Sequence, residues 1–349
     1  MEKTPKVSIL MAYYDNTEHV AESIESVFNQ THPNFELIVV NDKSPSPEAQ
    51  KLIIDLQKKW GFQLIQHEEN LGASKAFNTA FRSSNGDFIS LISHDDLYTA
   101  DKLQHSIDLI HKHKLDAVYC NGIELRQNGE KIPFPTDEVS EKLAHGGQAA
   151  VADLISSKDT VGCLLTQGGV FKRHVYEELS WVRNKFLLDD WPLTIKVWRD
   201  YKTTFSNHPV YIYRQHENNI HKNYWRWFPA RVQVISELAN PEKKLDTLSF
   251  IMADIARFMR NEKSYNEAYK MAHAALFLAE SDINIRKSIK IIESLSVEKA
   301  DIMLRNQKIK DLYQRQKISY SAYKYVMKLA IGLIPKKSLR KSLRLKFKI

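Results

Sequence analysis

The chain has 349 residues, of which 43% are hydrophobic and 26% charged, the make-up of an ordinary soluble protein with enough apolar residues for one large α/β domain and an accessory region. Two cysteines, Cys120 and Cys163, do not make a disulfide framework and point to a reducing compartment. The net charge of +8 is uneven: beyond Asp311 there is no acidic residue, that segment carries +11, and the remainder carries −3. A nucleic-acid partner is therefore not expected, because the basic residues are confined to one terminal segment. No apolar run near Met1 has the pattern of a signal peptide, and the late apolar stretch 326–334 is too short to span a bilayer, so a cytoplasmic location is expected.

Taken in order, residues 7–11 read as a buried strand, followed by a helix that Asn16 or Thr17 can cap and whose apolar residues Val20, Ile24, Val27 and Phe28 keep helical spacing. Strand 35–40, helix 48–60, strand 62–66, helix 73–81, strand 88–92, helix 100–113 and strand 116–119 continue the alternation. Repeated βα units of this length predict a mostly parallel sheet flanked by helices, with ligands beyond the carboxyl ends of its strands. Residues 126–166, with Pro133, Pro135 and Gly146-Gly147, read as loop-rich, and strands resume near 168–171 and 203–214. From 223 the pattern is helical almost throughout, with no repeat of fixed period. The organisation expected is a catalytic domain over 1–222, a helical accessory region over 223–311 and a basic amphipathic tail over 312–349. The helical region reads as packing support, a homodimer contact or an acceptor surface, and the sequence leaves these open.

The chemistry-bearing residues follow the strands. After strand one comes Ala12-Tyr-Tyr-Asp15, where Tyr14 offers a stacking face. After strand two comes Asn41-Asp42, which alone reads as a turn device but whose carboxylate can accept from a base imide or a ribose hydroxyl. Strand 88–92 leads to Ser93-His-Asp-Asp96, and its two adjacent carboxylates repel unless a cation or hydrogen bonds compensate them. A divalent ion, Mn²⁺ or Mg²⁺, would do so, and the plain alternative is a helix cap. Asp189-Asp190 precedes a helix starting at Trp191-Pro192; one carboxylate can serve as a general base or simply favour the helix's first turn. Arg214 can clamp phosphate, and His216 can supply a nitrogen ligand.

These motifs together resemble family 2 of the inverting glycosyltransferases with the GT-A fold, many of which build bacterial surface polysaccharides. Residues 7–15 are similar to the opening strand, 23–33 to the helix and turn after it, and 36–44 to a strand ending in an acidic pair whose first acid is here Asn41. Residues 70–78 and 86–89 match the next segments, and 213–219 a late histidine motif. The metal motif departs from Asp-x-Asp, because Ser93 stands where the first Asp is usual. The resemblance implies a nucleotide-sugar donor, of the UDP type, held by Ala12, Tyr14, Asp15, Asp42, Asn70, Lys75, Asn78, His94, Asp95 and Arg214. It further implies a metal held by Asp95, Asp96 and His216, an acceptor met by Asp189 and Trp191, and Asp190 as the base.

The rival readings are a nucleotidyltransferase, a dehydrogenase and a non-catalytic nucleotide-sugar-binding relative. The first two require glycine-rich phosphate loops after strand one that residues 11–17 lack. In the tail, Leu339, Leu343 and Phe347 recur every four residues among Lys336, Arg340, Lys341, Arg344 and Lys348, the pattern of a helix lying on an anionic membrane surface. Peripheral attachment to the inner face of the plasma membrane and a saccharide or lipid-linked acceptor are the expectations that follow.

Overall fold

The computed structural model of the protein describes residues 4–134, 143–145, 147–149, 151–152, 166–180, 185–186, 190–216, 224–238, 241–262 and 264–295. The chain divides into two compact units, Met1–Ile155 with Thr160–Asn219, and Ser156–Asp159 with Ile220–Ile349. Asp189, Cys163 and the tail 312–349 lie outside the described residues.

The first unit begins with β1 (Val7–Tyr13), α1 (Val20–Phe28), β2 (Phe35–Asn41), α2 (Pro47–Trp60), β3 (Gln63–Gln66), α3 (Ala73–Arg82) and β4 (Phe88–Ser93). Strands β1, β2 and β4 are buried on both faces along most of their length, which is why they read as nearly continuous apolar runs, broken only by Ser8, Glu36 and Ser90 before their ends, and not as alternating ones. Local signals set the helices. Ser46 accepts from the Ala49 N–H at 3.2 Å to cap α2, Pro47 occupies its first turn, and Gly61 ends it with φ 73°. Asn16 Oδ1 accepts from the His19 and Val20 N–H groups and so turns the chain into α1.

The remaining elements are β5 (Leu97–Tyr98), α4 (Lys102–His113), β6 (Ala117–Leu125), β7 (Lys131–Phe134), β8 (Gly169–Lys172), α5 (Arg173–Leu179), α6 (Trp191–Asp200) and β9 (Thr203–Arg214). Among the described residues the sheet has nine strands in the order β3-β2-β1-β4-β8-β6-β9-β5, with β7 paired to β6. It is more mixed than the βα alternation predicts. Strands β3, β2, β1 and β4 are parallel, β8 enters antiparallel to β4, and β6 runs antiparallel to β8. Part of the section expected to be loop is the turn and second strand of the hairpin β6–β7, closed at Gln127-Asn-Gly129 by an Arg126 N–H to Glu130 carbonyl bond; a short turn suffices for antiparallel neighbours.

Those two reversals decide where the site lies. Because β8 opposes β4 and β6 opposes β8, β6 again runs with β4, and β9, parallel to β6, ends on the same sheet edge as β1, β2 and β4. The short β5 pairs antiparallel with β9, Leu97 against Ile212 and Tyr98 against Tyr211, so residues 95–96 arrive beside residues 213–214.

In the second unit, α7 (Tyr224–Leu238), α8 (Lys244–Asn261), α9 (Tyr265–Leu278) and α10 (Asp282–Ser294) enclose a separate core that includes Ile251, Met252, Ile255, Met271 and Ile292. Ala268, Ala272 and Ala275 are fully buried on α9, and Ser249 Oγ donates across to the Ala275 carbonyl at 2.7 Å. Short side chains let the two backbones approach closely enough for that bond. No described helix is long and apolar enough to cross a membrane.

Candidate donor and metal site

The registers Tyr13 to Asn41 and Ala12 to Ser93 set the ends of β2, β1 and β4 abreast. At the end of β1, Tyr14 is 43% exposed, as a stacking face requires. Asp15 has φ 50°; its N–H donates to Ser44 Oγ at 2.9 Å, and its Oδ1 accepts from the Ser46 N–H at 3.1 Å, tying the first two strand-end loops together. Asn41, which replaces an acid of the resemblance, is used internally: Oδ1 accepts from Ser44 N–H and Oγ, and Nδ2 donates to Gln66 Oε1.

Asp42 is only 3% exposed. Its Oδ1 accepts from His67 Nδ1 at 2.7 Å and the Leu71 N–H at 2.9 Å, while Oδ2 accepts from the Gly72 N–H at 2.7 Å. His67 Nε2 in turn meets Thr79 Oγ1 at 3.0 Å, so one carboxylate pins the loop that carries Asn70 to the start of α3. Gly72 adopts φ 88°, a conformation that favours glycine. Asn70 and Lys75 are exposed, whereas Asn78 is 5% exposed and donates to the Ser180 carbonyl at 3.3 Å.

After β4, His94 Nδ1 donates to the Ala12 carbonyl at 3.0 Å, a carbonyl being able only to accept, and the ring stands edge-on to Tyr13. Asp95 Oδ2 lies 3.0 Å from His216 Nε2, with side chains 18% and 20% exposed. Asp96 turns the other way. It is 1% exposed, with Oδ1 accepting from the Arg214 N–H at 3.0 Å and Oδ2 from Gln167 Nε2 at 2.9 Å. Burial, then repulsion from Asp95, push its carboxyl well above the usual carboxylate range, against the pull of those bonds.

A divalent ion fits the Asp95–His216 pair on geometry. Two adjacent ligands of an octahedral ion with bonds of roughly 2.1 Å stand about 3 Å apart, the separation seen here. As it stands the contact is a hydrogen bond, and among the described residues no group of three or more His, Cys, Asp or Glu converges to hold an ion, so these side chains would fill at most two positions of a shell. Substrate phosphates and water commonly complete such a shell for Mg²⁺.

Arg214 is held in place from α1. It pairs with Glu22, and its Nη1 donates to His19 Nδ1 at 3.0 Å. That bond makes Nδ1 the unprotonated nitrogen of His19, whose pKa is lowered first by burial and further by Arg214 and His216. The His19 and His216 rings are 5.4 Å apart. Asp190 is the N-cap of α6 and accepts from the Trp191 N–H at 2.7 Å, so it performs the helix-start role in any event. It also belongs to the same electrostatic neighbourhood: burial, then Asp96, Asp95 and Asp190, raise the pKa of the Tyr213 hydroxyl. Trp191, expected to face an acceptor, is 2% exposed.

His19, Glu22, His67 and Gln167 were not singled out from sequence. The first three sit in ordinary polar surroundings with no local signature. Nor does Gln167 have one: the close backbone approach at Gly168 beside it, where a Cβ would stand 2.6 Å from the Cys120 carbonyl, is visible only in the fold.

Residues 8–165 match the profile of glycosyl transferase family 2. That segment, a little under half of the chain, is similar to family 2 glycosyltransferases. An uncharacterized glycosyltransferase of Rickettsia prowazekii is 27% identical over 171 residues, 44% of this chain and 52% of the relative. The Escherichia coli UDP-Glc:alpha-D-GlcNAc-diphosphoundecaprenol beta-1,3-glucosyltransferase WfgD is 33% identical over 115 residues, 33% of this chain and 45% of the relative. The chain thus spans about half the length of such relatives. Among solved structures, Staphylococcus aureus TarS with UDP-GlcNAc superposes with a TM-score of 0.53 at 15% identity, covering 83% of this chain and 80% of that one. The Pyrobaculum calidifontis mannosyltransferase PcManGT, with GDP-Man and Mn²⁺, gives 0.53 at 17% identity over 90% and 87%. The fold of the first unit is GT-A, with helices following it in the chain.

Proposed function

We propose that the protein is an inverting glycosyltransferase that moves a sugar from a nucleotide-diphosphate donor, of the UDP type, to a hydroxyl of a saccharide or lipid-linked saccharide in bacterial surface-polysaccharide assembly. The observation that carries this reading is the meeting of Asp95 and His216, 121 residues apart, on the sheet edge where parallel strands end. In this reading Asp95 and His216 hold Mn²⁺ or Mg²⁺, and Asp96 acts from behind through its bonds to Arg214 and Gln167. The ion, when bound, neutralises charge on the departing nucleoside diphosphate.

The chain's own residues supply the rest. Tyr14 stacks on the base, and the loop pinned by Asp42 borders the nucleotide with Asp15, Asn70, Lys75 and His94. Arg214, held by Glu22 and His19, presents positive charge to the phosphates. Asp190 takes the proton from the acceptor hydroxyl as that oxygen attacks the anomeric carbon. The new bond forms on the face opposite the departing diphosphate, so the configuration inverts and one carboxylate suffices. Asp189 borders the acceptor, and the basic tail holds the enzyme on an anionic membrane.

The test is a panel of UDP- and GDP-sugars, each assayed for binding, hydrolysis and transfer with Mn²⁺ and with chelator. Metal-stimulated transfer from one donor supports the proposal. Donor binding with neither hydrolysis nor transfer would favour a non-catalytic nucleotide-sugar-binding protein, the reading that Ser93 at the first metal-motif position suggests.

A further inference from the structure

Behind the turn that follows β4 runs a chain of polar contacts no sequence pattern announced. Gln167, in the short helical turn Thr166–Gly168 before β8, uses its side-chain nitrogen twice: Nε2 donates to Ser93 Oγ at 2.7 Å and to Asp96 Oδ2 at 2.9 Å. Its backbone carbonyl accepts from Lys102 Nζ at 2.5 Å. Lys102, at the start of α4, is wholly buried, and its nitrogen lies 4.6 Å from the centre of the Tyr98 ring. The Tyr98 hydroxyl donates to the Leu91 carbonyl at 2.6 Å. The turn 93–96 is therefore braced from the core, through residue 167, at its first and last positions.

The chemistry of this brace is specific. Ser93 Oγ and Asp96 Oδ2 both act as acceptors here, and an amide is the side-chain group that offers two N–H donors on one nitrogen at this length. A carboxylate in the same place would set acceptor against acceptor at Asp96, although the Ser93 hydroxyl could turn to donate to it. Asp96 is gripped on its other oxygen by the Arg214 N–H, so β9 and Gln167 hold it from two sides. Holding both oxygens of Asp96 fixes the backbone of the turn from which the Asp95 side chain extends. With Asp96 fixed inward, Asp95 is directed to His216.

We infer that Gln167 is a positioning residue of the donor site, tying Ser93 to Asp96 and so fixing the turn that presents Asp95 to His216. The inference rests on the transferase reading only in that Asp95 and His216 are taken as the ion's ligands. It also gives the departure at Ser93 a consequence: a hydroxyl there is an acceptor for the brace.

The experiment uses the full chain with Gln167→Glu, which keeps the shape but reverses donor to acceptor, and Gln167→Leu, which removes both bonds. Mn²⁺ affinity is read by electron paramagnetic resonance of the free ion, with and without UDP, and donor KM and kcat are read separately. Direct partners of metal ligands typically contribute 10–100-fold; Gln167 acts one contact further out, through Ser93 and Asp96, so Mn²⁺ should bind up to roughly 10-fold more weakly in both variants, with KM rising more than kcat falls. A residue that serves the fold alone would lower the melting temperature and leave the KM of the folded fraction unchanged. Should neither variant fold, Ser93→Ala decides, because it removes one acceptor of the brace and must weaken Mn²⁺ binding in the same direction by a smaller factor. Unchanged Mn²⁺ affinity and KM overturn the inference. Wild-type protein that binds neither Mn²⁺ nor a nucleoside diphosphate overturns the transferase reading itself, an outcome distinct from variants that bind as wild type does.

Discussion

Replacing Asp42 with Asn separates a carboxylate that holds the donor loop from one that reads the donor. Asp42 takes three donors in a nearly closed environment, and two of them, the Leu71 and Gly72 N–H groups, are backbone groups that cannot reorient. An Asn side chain keeps one oxygen and turns the other into an NH₂ group. With the nitrogen at the Oδ2 position it faces the Gly72 N–H; at the Oδ1 position it faces the Leu71 N–H, although His67 can then accept from it by changing tautomer. Either way one backbone N–H loses its acceptor and meets a donor. A hydrogen bond to a charged group contributes about 1.5–3 kcal/mol, and leaving a buried donor unsatisfied adds to the loss, so a cost of about 2–4 kcal/mol follows. For a unit of roughly 150–250 residues each kcal/mol moves the melting temperature by about 2–4 °C. Asp42→Asn should therefore melt about 4–16 °C below wild type without any donor present, measured by circular dichroism with and without UDP. A melting temperature equal to wild type, combined with lost UDP binding, would refute the reasoning and make Asp42 a direct ligand of the nucleotide.

Three further outcomes are expected. Asp190→Asn keeps a good N-cap for α6 yet removes the proton acceptor, so transfer should fall by about 10²–10⁴-fold with donor affinity retained; single-turnover rates at saturating donor check this, and near-normal turnover would leave Asp190 as a capping residue alone. Asp95→Ala and His216→Ala should each weaken donor binding in Mn²⁺ and change it little in chelator, by calorimetry; unchanged binding for His216→Ala would remove the histidine from the ion's shell. Burial pushes the Lys102 pKa down to about 7 from its ordinary 10.5. The unfolded chain therefore binds the extra proton between those values, and stability rises with pH across that window. Lys102→Met lacks this rise, so urea unfolding at pH 7 and pH 9.5 should show wild type gaining stability relative to the variant, and parallel behaviour of the two would contradict it.

The local half of this protein is written in its sequence. Strands β1, β2 and β4 are nearly continuous apolar runs because both faces are buried, and α2 is marked at each end by Ser46-Pro47 and Gly61. Parallel strands place their carboxyl ends together, so Tyr14, Asp15 and Asp95 could be assigned to one edge before any coordinates. Contacts set by register over long separations could not be read this way. The hairpin β6–β7 went unread although Asn128-Gly129 marks its turn, because Pro133 and Pro135 nearby argue for loop. The direction of β9 depends on two antiparallel steps through β8, and no residue in β9 records them. Only the folded sheet brings His216 to Asp95, sets His19 and Glu22 against Arg214, and turns Asp96 inward onto Gln167, 71 residues away. Periodicity reports which face a residue buries. What that residue touches is fixed by strand order and register, which arise from the packing of the whole sheet.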